Sequence, residues 1–198
     1  MQKIIPFNAV TIPPHAERVF KGQIFDVYQW PQELYDGTHA TFEMLRRPDT
    51  TTVMCLVGDQ MIVLDEEQPN AGARQSFPGG RIEPTDESVI SSAQREVLEE
   101  TGYLFEHWRL LKVWQPASKV EWFVYLIVAW GEQGKQQTAH DPGEKIHLTF
   151  KDLTELKQLA TDPQSYLHEA HELLENIAHF EELKTAPEFV GKTYTVVQ

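Results

Sequence analysis

Cysteine is almost missing from this chain: Cys55 stands alone among 198 residues. One thiol forms no intrachain disulfide, so a disulfide-stapled secreted scaffold is excluded. Positive charge is also short, with 17 Lys and Arg against 30 Asp and Glu and a net charge of -13. A nucleic-acid surface needs clustered cations to neutralise phosphates, so no nucleic-acid partner is expected. The same deficit works against a polyanionic substrate unless metal ions screen the site. Long apolar runs are lacking too. The longest, Trp122 to Trp130, is too short to cross a bilayer as a helix, and no membrane partner is expected. No basic-then-apolar stretch at the N-terminus reads as a signal peptide, which makes a cytoplasmic location the expectation. Internal repeats and low-complexity tracts are absent as well.

The apolar fraction of 41% is enough for a core, and the charged fraction of 24% is ordinary. The length fits one moderately large domain, or one domain with an appendage. Two segments read differently: residues 1–48, and a main domain over 49–198. In the first, Pro6, Pro13 and Pro14 punctuate an irregular start. Gly22 to Trp30 then alternates apolar and polar, Asp36-Gly37 signals a hairpin, and Thr38 to Leu45 is the returning strand. In the main domain, Val53–Val57 and Met61–Asp65 read as apolar strands joined through Gly58-Asp59. Arg74 to Phe77 is short and extended. Further strands are expected at Trp108–Trp114, Val120–Trp130 and Lys145–Phe150, with a polar loop over 131–144. Asp152 can cap a short helix, and Pro163 can open a longer one over about 164–183 that packs Leu167, Ala170, Leu173, Leu174 and Ile177. The mixed pattern predicts an α/β (α+β) sandwich, helices on both sides of a mixed sheet, with a β-rich N-terminal extension.

Between Phe77 and Trp108 lies the most specific stretch. Pro78-Gly79-Gly80 precedes a helix expected to start near Thr85 or Asp86 and to end before Gly102, a natural C′ residue. Its burial face offers Val89, Ile90, Ala93, Val97 and Leu98. Glu96, Glu99 and Glu100, at offsets of zero, three and four, fall within one arc of it. Like charges at that spacing disfavour a helix, and a divalent cation removes the cost. Mg²⁺ takes oxygen ligands and sits between carboxylates and a substrate phosphate. A solvated acidic helix is the bland alternative; the joint occurrence of Gly-Gly, Glu87, Arg95, three spaced glutamates and Gly102 argues against it.

These residues resemble the Nudix box, the signature of hydrolases that split a diphosphate linked to another moiety. The box runs glycine, five residues, glutamate, seven residues, then Arg-Glu-aliphatic-x-Glu-Glu-x-Gly-aliphatic. Arg95 to Gly102 match throughout, Tyr103 stands at the final apolar position, and Glu87 keeps the seven-residue spacing to Arg95. Gly80 and Glu87, however, are separated by six residues and not five, with the extra residue expected around Pro84-Thr85-Asp86. The resemblance implies Mg²⁺ as cofactor, with Mn²⁺ as a substitute, bound by Glu96, Glu99 and Glu100 with help from Gly79. Glu87 is a further outer ligand or an N-terminal dipole partner. Arg95 belongs to the catalytic set by orienting a carboxylate, and Glu100 belongs to it as well. For the general base, the resemblance points to a glutamate on a loop well after the box: Glu144 first, Asp141 second, or else a box glutamate itself.

A weaker resemblance, to ADP-ribose pyrophosphatases, rests on Val19 to Phe25, Asp36-Gly37 and Arg46-Arg47-Pro48. It implies a homodimer built by the N-terminal strands, and a pocket lined by segments such as Glu66-Glu67-Gln68 and Gln115 to Ser118. Gln68-Pro69-Asn70 and Gly79-Gly80 depart from the residues usual there. Substrate-binding candidates are Arg46, Arg74, Gln68, Ser118 and Trp30. Arg47 is a further candidate for phosphates, with surface salt bridging the alternative for each arginine. Trp30 and Trp114 are the better base-stacking tryptophans, against a core role. His168 and His171 are three apart on a helix, with a solvated face the alternative to metal binding. The expected function is hydrolysis of a nucleoside diphosphate derivative, ADP-ribose or a related nucleotide sugar. A triphosphate or dinucleotide pyrophosphohydrolase is the alternative, and a non-catalytic nucleotide sensor the weaker one.

Overall fold

The computed structural model describes residues 2–69, 72–139, 143, 145–162 and 165–196. In chain order the elements are β1 (Gln2–Ile5), β2 (Glu17–Lys21), β3 (Asp26–Glu33), β4 (His39–Arg46), β5 (Thr50–Val57), β6 (Gln60–Gln68) and β7 (Gly72–Ser76). Then follow α1 (Val89–Thr101), β8 (Tyr103–Trp114), β9 (Val120–Glu121), β10 (Val124–Lys135), β11 (Lys145–Lys151) and α2 (Leu153–Ala160). A 3₁₀ turn at His168–Ala170 leads into α3 (His171–Glu175), α4 (Glu181–Thr185) and β12 (Lys192–Thr195).

The central sheet has the order β11-β6-β5-β10-β8, with β7 also paired to β6. Only β5 and β10 run parallel, so the sheet is mixed. Period two along β5 sorts its side chains. Val53 and Cys55 pack with Ala93 and Val97 of α1, whereas Met54 and Leu56 pack with Leu156, Leu174 and Leu183 of α2, α3 and α4. Both faces of this strand are therefore dry, which explains its unbroken apolar run. Helices cover both faces, and the fold is the α+β sandwich with a mixed sheet that the sequence predicts.

A second sheet, β2-β3-β4-β9, carries a small cluster of Ile12, Tyr28, Trp30 and Met44. Its β3–β4 hairpin closes at Asp36-Gly37, where Gly37 has φ 81° and Asp36 Oδ1 accepts the Thr38 N–H at 3.0 Å. The parallel partner of β4 is β9, from the middle of the chain. Next to it, Glu121 is 1% exposed and collects three donors. Its Oε2 accepts from the Ile12 N–H at 2.6 Å and the Tyr194 hydroxyl at 2.9 Å, and its Oε1 from Arg46 Nε at 2.8 Å. The two ends of the chain form a third, two-stranded sheet, β1 with β12. There the buried Lys3 ammonium donates to Asp49, whose other oxygen accepts the Phe123 N–H at 2.9 Å.

Three sequence expectations change. The start reads as irregular, yet Gln2–Ile5 is a strand and Ile5 is part of the main core; its partner lies almost the whole chain away. The strand expected over Val120–Trp130 is two strands, broken at Trp122-Phe123, and the second runs on through Gly131 to Lys135. Long cross-strand pairing with β8 carries it beyond its apolar part. Of the long helix expected over about 164–183, residues 165 onward hold a 3₁₀ turn and two short helices, and Pro163, its expected opener, lies outside the described residues. From Leu174 its buried residues Ile177, Phe180 and Leu183 recur every third position, a step too short for a straight α-helix. Between the short helices, the Glu182 carboxylate accepts the free N–H groups of Ala178 and His179.

Candidate active site

Helix α1 begins at Val89 with Ser88 as its N-cap, two residues beyond Asp86 and three beyond Thr85, the two expected caps. The Ser88 hydroxyl accepts the Ser91 N–H at 3.0 Å, and Ser91 Oγ accepts the Ser88 N–H at 2.8 Å, closing a capping box. Asp86 is not available as a cap because both its oxygens are engaged elsewhere. They take Arg95 in a bidentate pair, Nε to Oδ1 at 3.1 Å and Nη2 to Oδ2 at 3.0 Å, and Oδ2 also accepts the Glu83 N–H. Gly102 ends the helix as expected, with φ 74° and its N–H on the Leu98 carbonyl.

This geometry places Glu96, Glu99 and Glu100 on the wall of a cleft of about 900 Å³. Arg95 Nη1 donates to Glu96 at 2.8 Å and to Glu99 at 3.2 Å, and Nη2 to the Arg81 carbonyl at 3.0 Å. Glu100 Oε2 accepts the Gly79 N–H at 2.8 Å. Gly79 has φ 147°, a conformation that side chains resist, and a Cβ there would strike the Thr51 carbonyl. At Gly80 a Cβ would come within 2.5 Å of Glu96 Oε2, so this carboxylate lies flush against the bare turn. Burial pushes the Glu96 carboxyl up, against the pull of Arg95. The pair with Asp86, more than any other contact, pushes Arg95 further above its already high range, so it stays charged throughout. Asp86 is held down to about 2, chiefly by that same contact.

Among the described residues, no three His, Cys, Asp or Glu converge closely enough to form a ready metal cage. The glutamate oxygens are spread between Arg95 and the Gly79 amide. Their chemistry nevertheless fits a hard divalent cation: three carboxylates share one wall, a single guanidinium partly neutralises them, and a side-chain-free turn leaves room against Glu96. Gly79 meets this group through its N–H.

The other sequence candidates divide. Gln68 and Arg74 line the cleft, and so do Trp114 and Arg47. Arg74 donates from Nε to the buried Glu66 at 2.6 Å and lies 4.6 Å over the Tyr166 ring. Trp30 is outside the cleft, buried in the N-terminal cluster with its Nε1 on Gln32. Arg46 is tied to Glu121 and to the Tyr28 hydroxyl, and does not line it. Ser118 is exposed in the β8–β9 connection, beyond the cleft wall. Glu87 is exposed, stands just before the N-cap and is not a wall residue either. Glu144 and Asp141 lie outside the described residues. His168 and His171 stack on each other at 5.6 Å.

Asp86 is the residue that sequence reading missed in this role, and its signal was available: five residues separate it from Gly80, the box spacing counted from the glycine. The extra residue thus falls on the helix side of Asp86, and not in the turn before it. Trp122 was ranked below Trp30 and Trp114 as a stacking residue. It turns out of the strand break into the cleft and donates from Nε1 to Thr50 Oγ1 at 3.1 Å.

Residues 46–170 match the NUDIX domain. The chain belongs to the Nudix family. Its Nudix box keeps every carboxylate of the Arg-Glu-x-x-Glu-Glu segment, in agreement with the enzyme class read from the sequence, a pyrophosphohydrolase. No curated protein matches the chain in sequence. Among solved structures, the crystal structure of an ADP compounds hydrolase aligns with a TM-score of 0.65 at 23% identity, over 85% of this chain and 96% of that one. At that identity the likeness concerns the fold.

Proposed function

We propose that this Nudix protein hydrolyses the diphosphate bond of a nucleoside diphosphate derivative, with ADP-ribose or a related nucleotide sugar as the favoured substrate. The products would be a nucleoside monophosphate and a sugar phosphate. The observation that carries the reading is the wall of α1, where Glu96, Glu99 and Glu100 face a cleft that also contains Arg47, Trp114 and Trp122. Such a cleft combines acidic, cationic and aromatic surface, the three chemistries that a metal-bound nucleotide presents.

Glu96, Glu99 and Glu100 would hold Mg²⁺, or Mn²⁺ in its place. A divalent cation held by these residues would supply Lewis-acid chemistry to the diphosphate and to water. Arg95 positions two of these carboxylates, and Asp86 positions Arg95. Glu144 is the proposed general base. Its support is its sequence position and Ala139, which lines the cleft five residues before it and donates its N–H to the Glu99 carbonyl at 2.9 Å. The proposed assembly is a homodimer formed through the N-terminal sheet.

The test is release of AMP from ADP-ribose with and without Mg²⁺, beside Glu100→Gln. The amide oxygen of Gln can still accept the Gly79 N–H, so the variant should melt with the wild type. Its turnover should fall at least about 100-fold, the scale on which one charged transition-state contact acts. Metal-dependent AMP release that survives in the variant would remove α1 from the chemistry. No release by the wild type, with nucleoside triphosphates cleaved instead, would replace the substrate.

A further inference from the structure

Six side-chain polar atoms among the described residues are buried without a hydrogen-bond partner, and three of them belong to residues that line the cleft: Arg47 Nε, Thr51 Oγ1 and Trp114 Nε1. A buried orphan donor is costly, and such groups are normally satisfied. Two of these three can only donate. Whatever completes them must therefore bring acceptors.

Their placement follows from the sheet. Thr50 is paired with Val124, and Val124 with Trp114, so the start of β5 and the end of β8 meet at one end of the sheet. There Arg47 lies with its guanidinium 4.3 Å from the centre of the Trp122 ring, with Phe25 on its far approach at 5.7 Å. The indole is itself anchored on Thr50 Oγ1. Every other arginine of the cleft is held by a carboxylate: Arg74 by Glu66, Arg81 by Glu83, Arg95 by Asp86. Among the described residues, Arg47 has no carboxylate within ion-pair distance, and stacking holds it in place of charge. Burial and the like charge of Arg81 push its guanidinium below the ordinary value, a strain that an anion relieves.

We propose that Arg47, set over the Trp122 ring, is the phosphate-binding residue of this cleft, donating to the diphosphate oxygens of the substrate. This rests on the diphosphate reading above. The contact with Trp122 restrains the guanidinium before substrate arrives, so little side-chain freedom is lost on binding. The residue also offsets, at the point of contact, the negative potential of a chain with a net charge of -13.

The test is calorimetric titration of imidodiphosphate into the Mg²⁺-supplemented protein, for the wild type, Arg47→Met and Arg47→Lys. Methionine keeps an unbranched apolar stem but none of the donors and no charge. Its affinity should be about 10- to 100-fold weaker, the range for losing hydrogen bonds to a charged group. Lysine should fall between the two, because it keeps the charge and loses the planar fork. On ADP-ribose, KM should rise in Arg47→Met while kcat changes little, and the melting temperature should not move. Should methionine prevent folding, the lysine variant alone decides, and binding equal to wild type overturns the proposal. Wild-type binding that Arg47→Met leaves unchanged also overturns it, with the diphosphate reading intact. A wild type that takes up no imidodiphosphate removes both together.

Discussion

Arg95 holds Asp86, Glu96, Glu99 and the Arg81 carbonyl with a single guanidinium, and Asp86 takes its two parallel bonds. The carboxylate that matters most for this arginine is therefore off the helix, in the turn that precedes it. Asp86→Asn should release Arg95 onto Glu96 and Glu99, tie those carboxylates down and lower kcat about 10-fold, the effect of losing one charge-assisted bond. A pH series separates this from a general loss of structure. The Asp86 pKa falls from 3.8 to about 2 on folding, so the ionised group stabilises the folded state. That contribution is complete above the unfolded value and disappears as pH falls through about 2. The stability gap between wild type and Asp86→Asn should be flat near neutrality and narrow below about pH 4. Urea midpoints at pH 7, 5, 4 and 3 measure it, and a gap that stays constant to pH 3 would show that Arg95 does not hold Asp86.

At the scale of elements, the site depends on strands that meet across long sequence distances. Glu121 is the clearest joint, since its buried carboxylate receives the segment before β2, strand β4 and strand β12 at once. Glu121→Gln should remove about 3 kcal/mol of stability, because the largely buried Arg46 loses the carboxylate it is paired with. Denaturant unfolding measures this, and a loss below about 1 kcal/mol would show that Arg46 finds other compensation. Such joints also mark where sequence reading stops. The dry strand β5 was legible because period-two burial on both faces leaves an unbroken apolar run, and the end of α1 was legible because Gly102 adopts a conformation other residues avoid. The box carboxylates were legible because helical spacing alone puts them on one arc. The start of α1 was not, because whether Asp86 caps a helix or binds Arg95 is decided by the folded turn. Strand β12 was not legible either, because Lys192–Thr195 is a strand only by pairing with Gln2–Ile5. Nor was the turn of Trp122 into the cleft, which follows from the Phe123 N–H being drawn to Asp49.

At the scale of the whole molecule, the N-terminal sheet leaves one edge open. Every residue of β2 is exposed, and Val19 and Phe20 on it are joined by exposed Ile24 and Phe25 in the connection to β3. An edge strand with unpaired backbone groups and apolar side chains is a template for another chain, and exposed apolar patches of this kind are interaction surfaces. No helix among the described residues is long and apolar enough to cross a membrane. A net charge of -13 opposes self-association in general, but β2 itself carries Arg18 and Lys21 against Glu17, a net charge of +1. A second copy of the chain is the occupant these features suit. Ile24 also lines the cleft, so a partner seated here would adjoin the substrate. Sedimentation should therefore give twice the 22.8 kDa chain mass. Phe20→Glu should shift the protein to monomer and raise KM for the substrate while leaving the melting of the main core intact. A wild type that sediments as a monomer would rule out the shared edge, and a monomeric Phe20→Glu variant with unchanged KM would show that each chain completes its own cleft.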